Sequence, residues 1–209
     1  DPKYDQEANQ DALMSHELAH QWFGDLVTCK DWSHIWLNES FATFLEMEFE
    51  MESRGRPSYD RLLADELNWF LGEEAVETKP IVFDQIHNST DDLFDSRVYA
   101  KGGMVLRTLK YTLGEKVFYK ALGDYLRDHA YTTVVTQDLK NSLEHSTGKD
   151  LTTFFNQWIF QASYPQFETS WKYSSADKKL VLNVKQTNPN DKLKWSGKMP
   201  VEVDGKVLA

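Results

Sequence analysis

His16 and His20 stand four residues apart, with a glutamate, Glu17, directly after the first. Spacing of four puts both imidazoles on one face of a helix, one turn apart. Two nitrogens so placed can share one tetrahedral zinc ion. Glu17 sits roughly 100° further around the helix, so it can work on a water beside the metal without occupying the metal. The run His16-Glu17-Leu18-Ala19-His20 is thus the H-E-x-x-H pattern of zinc hydrolases.

A catalytic zinc needs a third protein ligand and one open position. The metzincin arrangement, a histidine six residues past the second, is excluded because Leu26 stands there. The gluzincin arrangement takes a glutamate from the next helix. Glu39 fits, after 18 residues that follow His20. Glu46 lies two turns past Glu39 and can accept the outer N–H of a ligating histidine, which fixes its tautomer. The expected centre is one Zn2+ per chain on His16, His20 and Glu39, with Glu17 as general base and Glu46 behind a ligand.

Positioning these groups requires two helices joined by a loop. A helix-compatible stretch runs from Glu7 to Phe23 and is closed by Gly24; Met14, Leu18, Trp22, Ala19 and Phe23 give it apolar faces. A second helix is predicted from about Ile35 to Arg54, stopped by Gly55 and Pro57, and a third is capped by Ser58 and closed by Gly72. Residues 73–96 read as a long loop. Helices resume at Val98–Leu113 and Glu115–His129, then near Gln137–His145 and Leu151–Phe160, with Thr136 and Asp150 as caps. After Tyr164-Pro165 the pattern alternates, as half-buried strands do, in FETSWKYSS and KLVLNVKQT. MPVEVDGKVL reads as a further hairpin turning at Asp204-Gly205.

The chain has 209 residues and a net charge of −10, with 41% hydrophobic residues. Residues 166–209 carry 8 Lys against 5 acids, a balance of +3, which leaves −13 on the rest. That shift coincides with the change of pattern and marks a domain boundary at 163/164. A duplex binder needs a basic face, so nucleic acid is not an expected partner. No run approaches the length of a membrane span, and a single cysteine, Cys29, excludes an internal disulfide. The first residues are polar and show no signal peptide. A cytoplasmic location is favoured, with a secreted one left open because the true N-terminus is expected to lie upstream.

The stretch LMSHELAHQWFGDLVTCKDWSHIWLNESFATFLE closely resembles the zinc aminopeptidases of the aminopeptidase N family, which also includes leukotriene hydrolase. The family string W-L-N-E-G-F-A carries Ser40 here in place of its glycine. VYAKGGMVLRTL at 98–109 resembles the family segment Y-x-K-G-A-x-V-L, with Gly103 where alanine is usual, and FNQWIFQASYPQFETSW resembles the end of its catalytic domain. The resemblance implies a role that spacing does not reveal: Tyr99 donates a hydrogen bond to the oxyanion of the tetrahedral intermediate.

The implied fold is mostly α with a C-terminal β segment. Residues 1–163 form the helical, zinc-binding lobe of a thermolysin-like catalytic domain, and 164–209 begin a β-sandwich. The implied activity is removal of N-terminal residues from peptides with free N-termini. The family's G-A-M-E-N motif, whose glutamate binds the substrate amine, does not occur in these residues. The remainder of the chain's own polypeptide, upstream, is therefore an expected partner, and the 209-residue piece alone is expected to be inactive or weak. A thermolysin-like endopeptidase and a non-catalytic scaffold are the alternative readings.

Overall fold

The structure, a computed structural model, describes residues 2–83, 90–188, 194–203 and 206–208. The two helices that the motif requires are α1 (Pro2–Ala19) and α2 (Trp36–Arg54), packed against each other. α3 (Arg56–Glu74) doubles back on α2. The corner is Gly55, at φ +79°, a conformation that costs glycine little, followed by Pro57 in the first turn of α3. A π-helical turn, Arg97–Lys101, leads directly into α4 (Gly102–Leu113), which also lies on α2. α5 (Glu115–Asp128), α6 (Thr136–Thr147) and α7 (Thr152–Phe155) complete the lobe, and a second π turn, Asn156–Phe160, follows α7.

Among the described residues three small sheets accompany the helices. β1 (Val27–Cys29) pairs in parallel with β2 (Thr132–Val134), Val27 opposite Thr132. β3 (Phe167–Ser174) and β4 (Lys179–Gln186) form an antiparallel hairpin with Phe167 opposite Gln186. β5 (Val201–Val203) pairs with β6 (Lys206–Leu208). Among the described residues no helix is long and apolar enough to cross a membrane. A mostly α chain ending in a β segment is the expected class.

α2 is the spine of the core. Its Trp36, Phe41 and Phe44 are at most 1% exposed, and so are Leu106 and Leu109 of α4, Phe118 of α5, Leu139 and Leu143 of α6, and Phe155 of α7. Each such side chain contributes about 1.5–3 kcal/mol of burial. The buried Trp36 indole donates to Thr136 Oγ1 at 2.8 Å, so the polar atom of this large ring is satisfied.

Several boundaries depart from the sequence reading. α1 ends at Ala19, not Phe23, because Gln21 N and Trp22 N reach only three residues back, to the Leu18 and Ala19 carbonyls, and tighten the chain out of the α-helix. Its Met14 and Leu18 are 69% and 60% exposed, since α2 covers only the face that carries His16 and Ala19. α3 starts before Ser58, whose hydroxyl bonds the Glu50 carboxylate instead of capping, and it runs past Gly72 to Glu74. Asp150 does accept from Thr152 N, whereas the Thr136 side chain is taken up by Trp36. The hairpin strands were expected to be half-buried. Both faces are open, with Trp171 72% and Val181 53% exposed, because no other described element packs extensively on them. Residues 84–89 of the expected loop and Asp204-Gly205 lie outside the described residues.

Candidate metal centre

His16 lies in the last turn of α1 and His20 in the tight turn just beyond it, with ring centroids 5.0 Å apart. Each ring is anchored by its Nδ1. His20 Nδ1 lies 3.0 Å from the Phe23 carbonyl, which can only accept, so the proton sits on Nδ1. His16 Nδ1 lies 3.2 Å from Glu46 Oε2, again an acceptor. Both Nε2 atoms therefore turn inward and become lone-pair donors once deprotonated, an orientation set by the partner behind each ring.

Glu39, in the first turn of α2, closes the triangle. Its Oε2 is 3.4 Å from His16 Nε2 and 3.3 Å from His20 Nε2. The three ligand atoms lie within 4.8 Å of one another. Bonds of about 2.0–2.2 Å to a tetrahedral zinc put neighbouring ligand atoms about 3.4 Å apart. The donor set thus fits such an ion in type and number, and the two edges that meet at Glu39 match that spacing.

The charges say the same. Burial, the largest single influence on His16, works against its proton, but the Glu39 and Glu46 carboxylates together prevail and raise its pKa to about 9. Hydrogen bonding to Glu39 leads the forces that raise His20. Burial would lift the Glu39 carboxyl, yet the two histidines hold it down to about 2. The centre favours positive charge, so a cation must displace protons and binds less well in acid.

The remaining residues surround an open cavity of about 570 Å³ lined by both histidines, Glu17, Glu39, Leu62 and Tyr99. Glu17 is exposed into it. Tyr99 comes from the π turn, a local geometry common at functional sites. Its ring stacks 6.0 Å from His16 and lies 5.9 Å from Trp69 of α3. Burial, then the charge of Glu39, raises its pKa, so the phenol keeps its proton and remains a donor. All six residues singled out in the sequence, including Glu46, converge here.

Some contributors carried no sequence signal. Glu66 of α3 points its buried Oε2 at no hydrogen-bond partner, and burial, then the charge of Glu46, raises its pKa to about 7. Asn38 donates to Thr28 Oγ1 and accepts from Cys29 N, which ties the start of α2 to β1 and so sets where Glu39 points. Asn38 has a signal of a kind, since it directly precedes Glu39, but an amide there has no metal role. Its task is visible only once β1 is in place.

Residues 1–158 match the Peptidase family M1 domain. The chain belongs to peptidase family M1. It is 32% identical to a probable aminopeptidase 1 of Sulfurisphaera tokodaii over 96% of its own length, and 36% identical to aminopeptidase N of Lactococcus lactis over 83%. It spans only 26% and 21% of those relatives. Among solved structures, an M1 zinc metallopeptidase mutant of Deinococcus radiodurans, bound to a Tyr-Ser-Ala substrate, is 28% identical with a TM-score of 0.60. That match covers 74% of this chain and 34% of the other. M1 relatives are thus zinc metallopeptidases and aminopeptidases by name.

Proposed function

We propose that this chain carries the catalytic centre of a zinc aminopeptidase that hydrolyses the first peptide bond of substrates with free N-termini. The observation that carries the reading is the convergence of His16 Nε2 and His20 Nε2 on Glu39 Oε2, at 3.4 and 3.3 Å, with Glu17 lining the same cavity. One zinc per chain, held by these three residues, would polarise the peptide carbonyl and acidify a water. Glu17 takes the proton of the attacking water and passes it to the leaving amine. The Tyr99 hydroxyl donates to the oxyanion that develops on the carbonyl. Glu46 keeps His16 turned toward the ion.

Residues 1–163 serve as the helical part of the catalytic domain and 164–209 as the start of a β-sandwich. The relatives are about four times as long as the chain, and we assign recognition of the substrate amine to the rest of its polypeptide. The 209-residue piece alone should therefore be inactive or weak. The test is Glu17→Gln in the full-length protein. It should keep one zinc per chain and lose release of p-nitroaniline from aminoacyl anilides. Loss of zinc from that variant would overturn the assignment of Glu17, and cleavage of N-terminally blocked peptides by the parent would point to an endopeptidase.

A further inference from the structure

α2 and α4 meet more closely at one point than side chains normally permit. A Cβ placed on Gly102 would lie 1.7 Å from Ser40 Oγ and 2.6 Å from Ser40 Cβ, and one on the next residue, Gly103, would lie 3.2 Å from Thr43 Cγ2. Two glycines thus let the start of α4 rest on the first turns of α2. Ser40 is 0% exposed, and its hydroxyl donates to the Val98 carbonyl at 2.5 Å. Val98 directly precedes Tyr99 in the π turn, and Ser40 directly follows Glu39.

The bond therefore joins the residue next to a metal ligand to the residue next to the phenol. A π turn shifts the register of the helical hydrogen bonds, which leaves room for a carbonyl to take a partner outside the ladder. A buried hydroxyl fixed at one end by α2 supplies such a partner and sets the height of the turn over the centre. Trp69 adds a second constraint. Its indole N–H donates to Glu73 Oε1 at 2.8 Å, and Glu73 Oε2 accepts from Ser96 N at the foot of the same turn. Trp69 therefore steadies Tyr99 from the outer side, while Ser40 holds the turn from the α2 side.

We infer that Ser40 is a positioning residue for the reaction: its hydrogen bond to Val98, made possible by the absence of a side chain at Gly102, holds Tyr99 at the working distance from the centre. This rests on the aminopeptidase reading above, in which Tyr99 stabilises the oxyanion. A displacement of about 1 Å at such a group can cost up to 100-fold in rate.

The experiment uses the full-length zinc-loaded protein. Ser40→Ala keeps the Cβ packing and removes only the hydroxyl. It should lower kcat about tenfold with KM and zinc affinity changed less than about twofold, the pattern of an interaction made in the transition state. In a Tyr99→Phe background the same substitution should change kcat less than about twofold, because the residue through which Ser40 acts is already lost. An equal fall in both backgrounds, or an unchanged kcat in the parent, would overturn the role. A loss of zinc affinity would overturn it too, since Ser40 would then act on Glu39. The contact has its own readout without turnover. Gly102→Ala should lower the Tm of the zinc-free protein, and Ser40→Gly in the same chain should restore most of the loss. Failure of that rescue would remove the bridge itself. A parent protein that cleaves no aminoacyl anilide yet shows the rescue would sink the aminopeptidase reading, and with it the role of Ser40 in the reaction, while leaving the contact standing.

Discussion

Replacing Glu46 probes the centre without touching a ligand. Its Oε2 accepts from His16 Nδ1 at 3.2 Å, and both side chains are largely buried, at 18% and 10% exposure. A hydrogen bond to a charged group contributes about 1.5–3 kcal/mol, and a neutral one about half as much. Glu46→Ala should therefore weaken zinc binding about 10- to 100-fold, and Glu46→Gln, which keeps a neutral acceptor, about tenfold or less. Proton competition opposes this loss. Glu46 is one of the two carboxylates that raise His16 to about 9, so removing it lowers that pKa and makes the ring easier to deprotonate near neutrality. At pH 7 the two effects act in opposite directions. At pH 9.5 the ring has largely lost its extra proton, and the hydrogen-bond loss stands alone. Competition against a chromophoric chelator at both pH values measures it. The predicted result is a larger defect at pH 9.5 than at pH 7. An affinity within twofold of the parent at pH 9.5 would refute the claim that Glu46 fixes the His16 ring.

Tyr99→Phe should lower kcat by about 10²–10³, the cost of one oxyanion donor, with zinc content unchanged by atomic absorption. Phe41→Ala should cost about 3–5 kcal/mol in the urea unfolding of the protein, because Phe41 is fully buried and stacks on Phe23 at 4.1 Å. Glu66 binds a proton more tightly when folded, at about 7, than when unfolded, near 4.5. Its contribution to stability is thus present below pH 4.5 and lost as pH rises through 7. Glu66→Gln should accordingly raise the Tm at pH 8 and leave it nearly unchanged at pH 4, both measured with chelator present; an equal change at the two pH values would exclude burial of the charge as the cause.

The cluster of candidate metal ligands was legible because its signal is local. His16, Glu17 and His20 occupy one turn, and Glu39 sits at a fixed interval on the next helix. The long helices were legible for a similar reason, since apolar residues recur with their period. What escaped was either short or distant. β1 and β2 have three residues each, too few to alternate, and they pair across about a hundred positions. The end of α1 was placed at Gly24 by its residue type, whereas the backbone tightens at Gln21 and Trp22 through carbonyls that any residue could supply. Glu66 resembles every other acid in an acidic segment until the fold buries it opposite Glu46.

The same reasoning explains why three consecutive residues of α2 matter together. Successive side chains on a helix diverge by about 100°. Glu39 can therefore face the histidines, Ser40 the carbonyl of Val98, and Phe41 the ring of Phe23, all from one turn. Phe23 in turn offers its carbonyl to His20. A shift of α2 that moved Glu39 would thus move the rests of His20 and Tyr99 as well. The parts of the centre are held to one another by a single helical turn, so damage to Phe41 should reach the candidate metal site through Glu39 and Phe23. If Phe41→Ala unfolded more readily yet bound zinc with parental affinity while still folded, that mechanical linkage would be wrong.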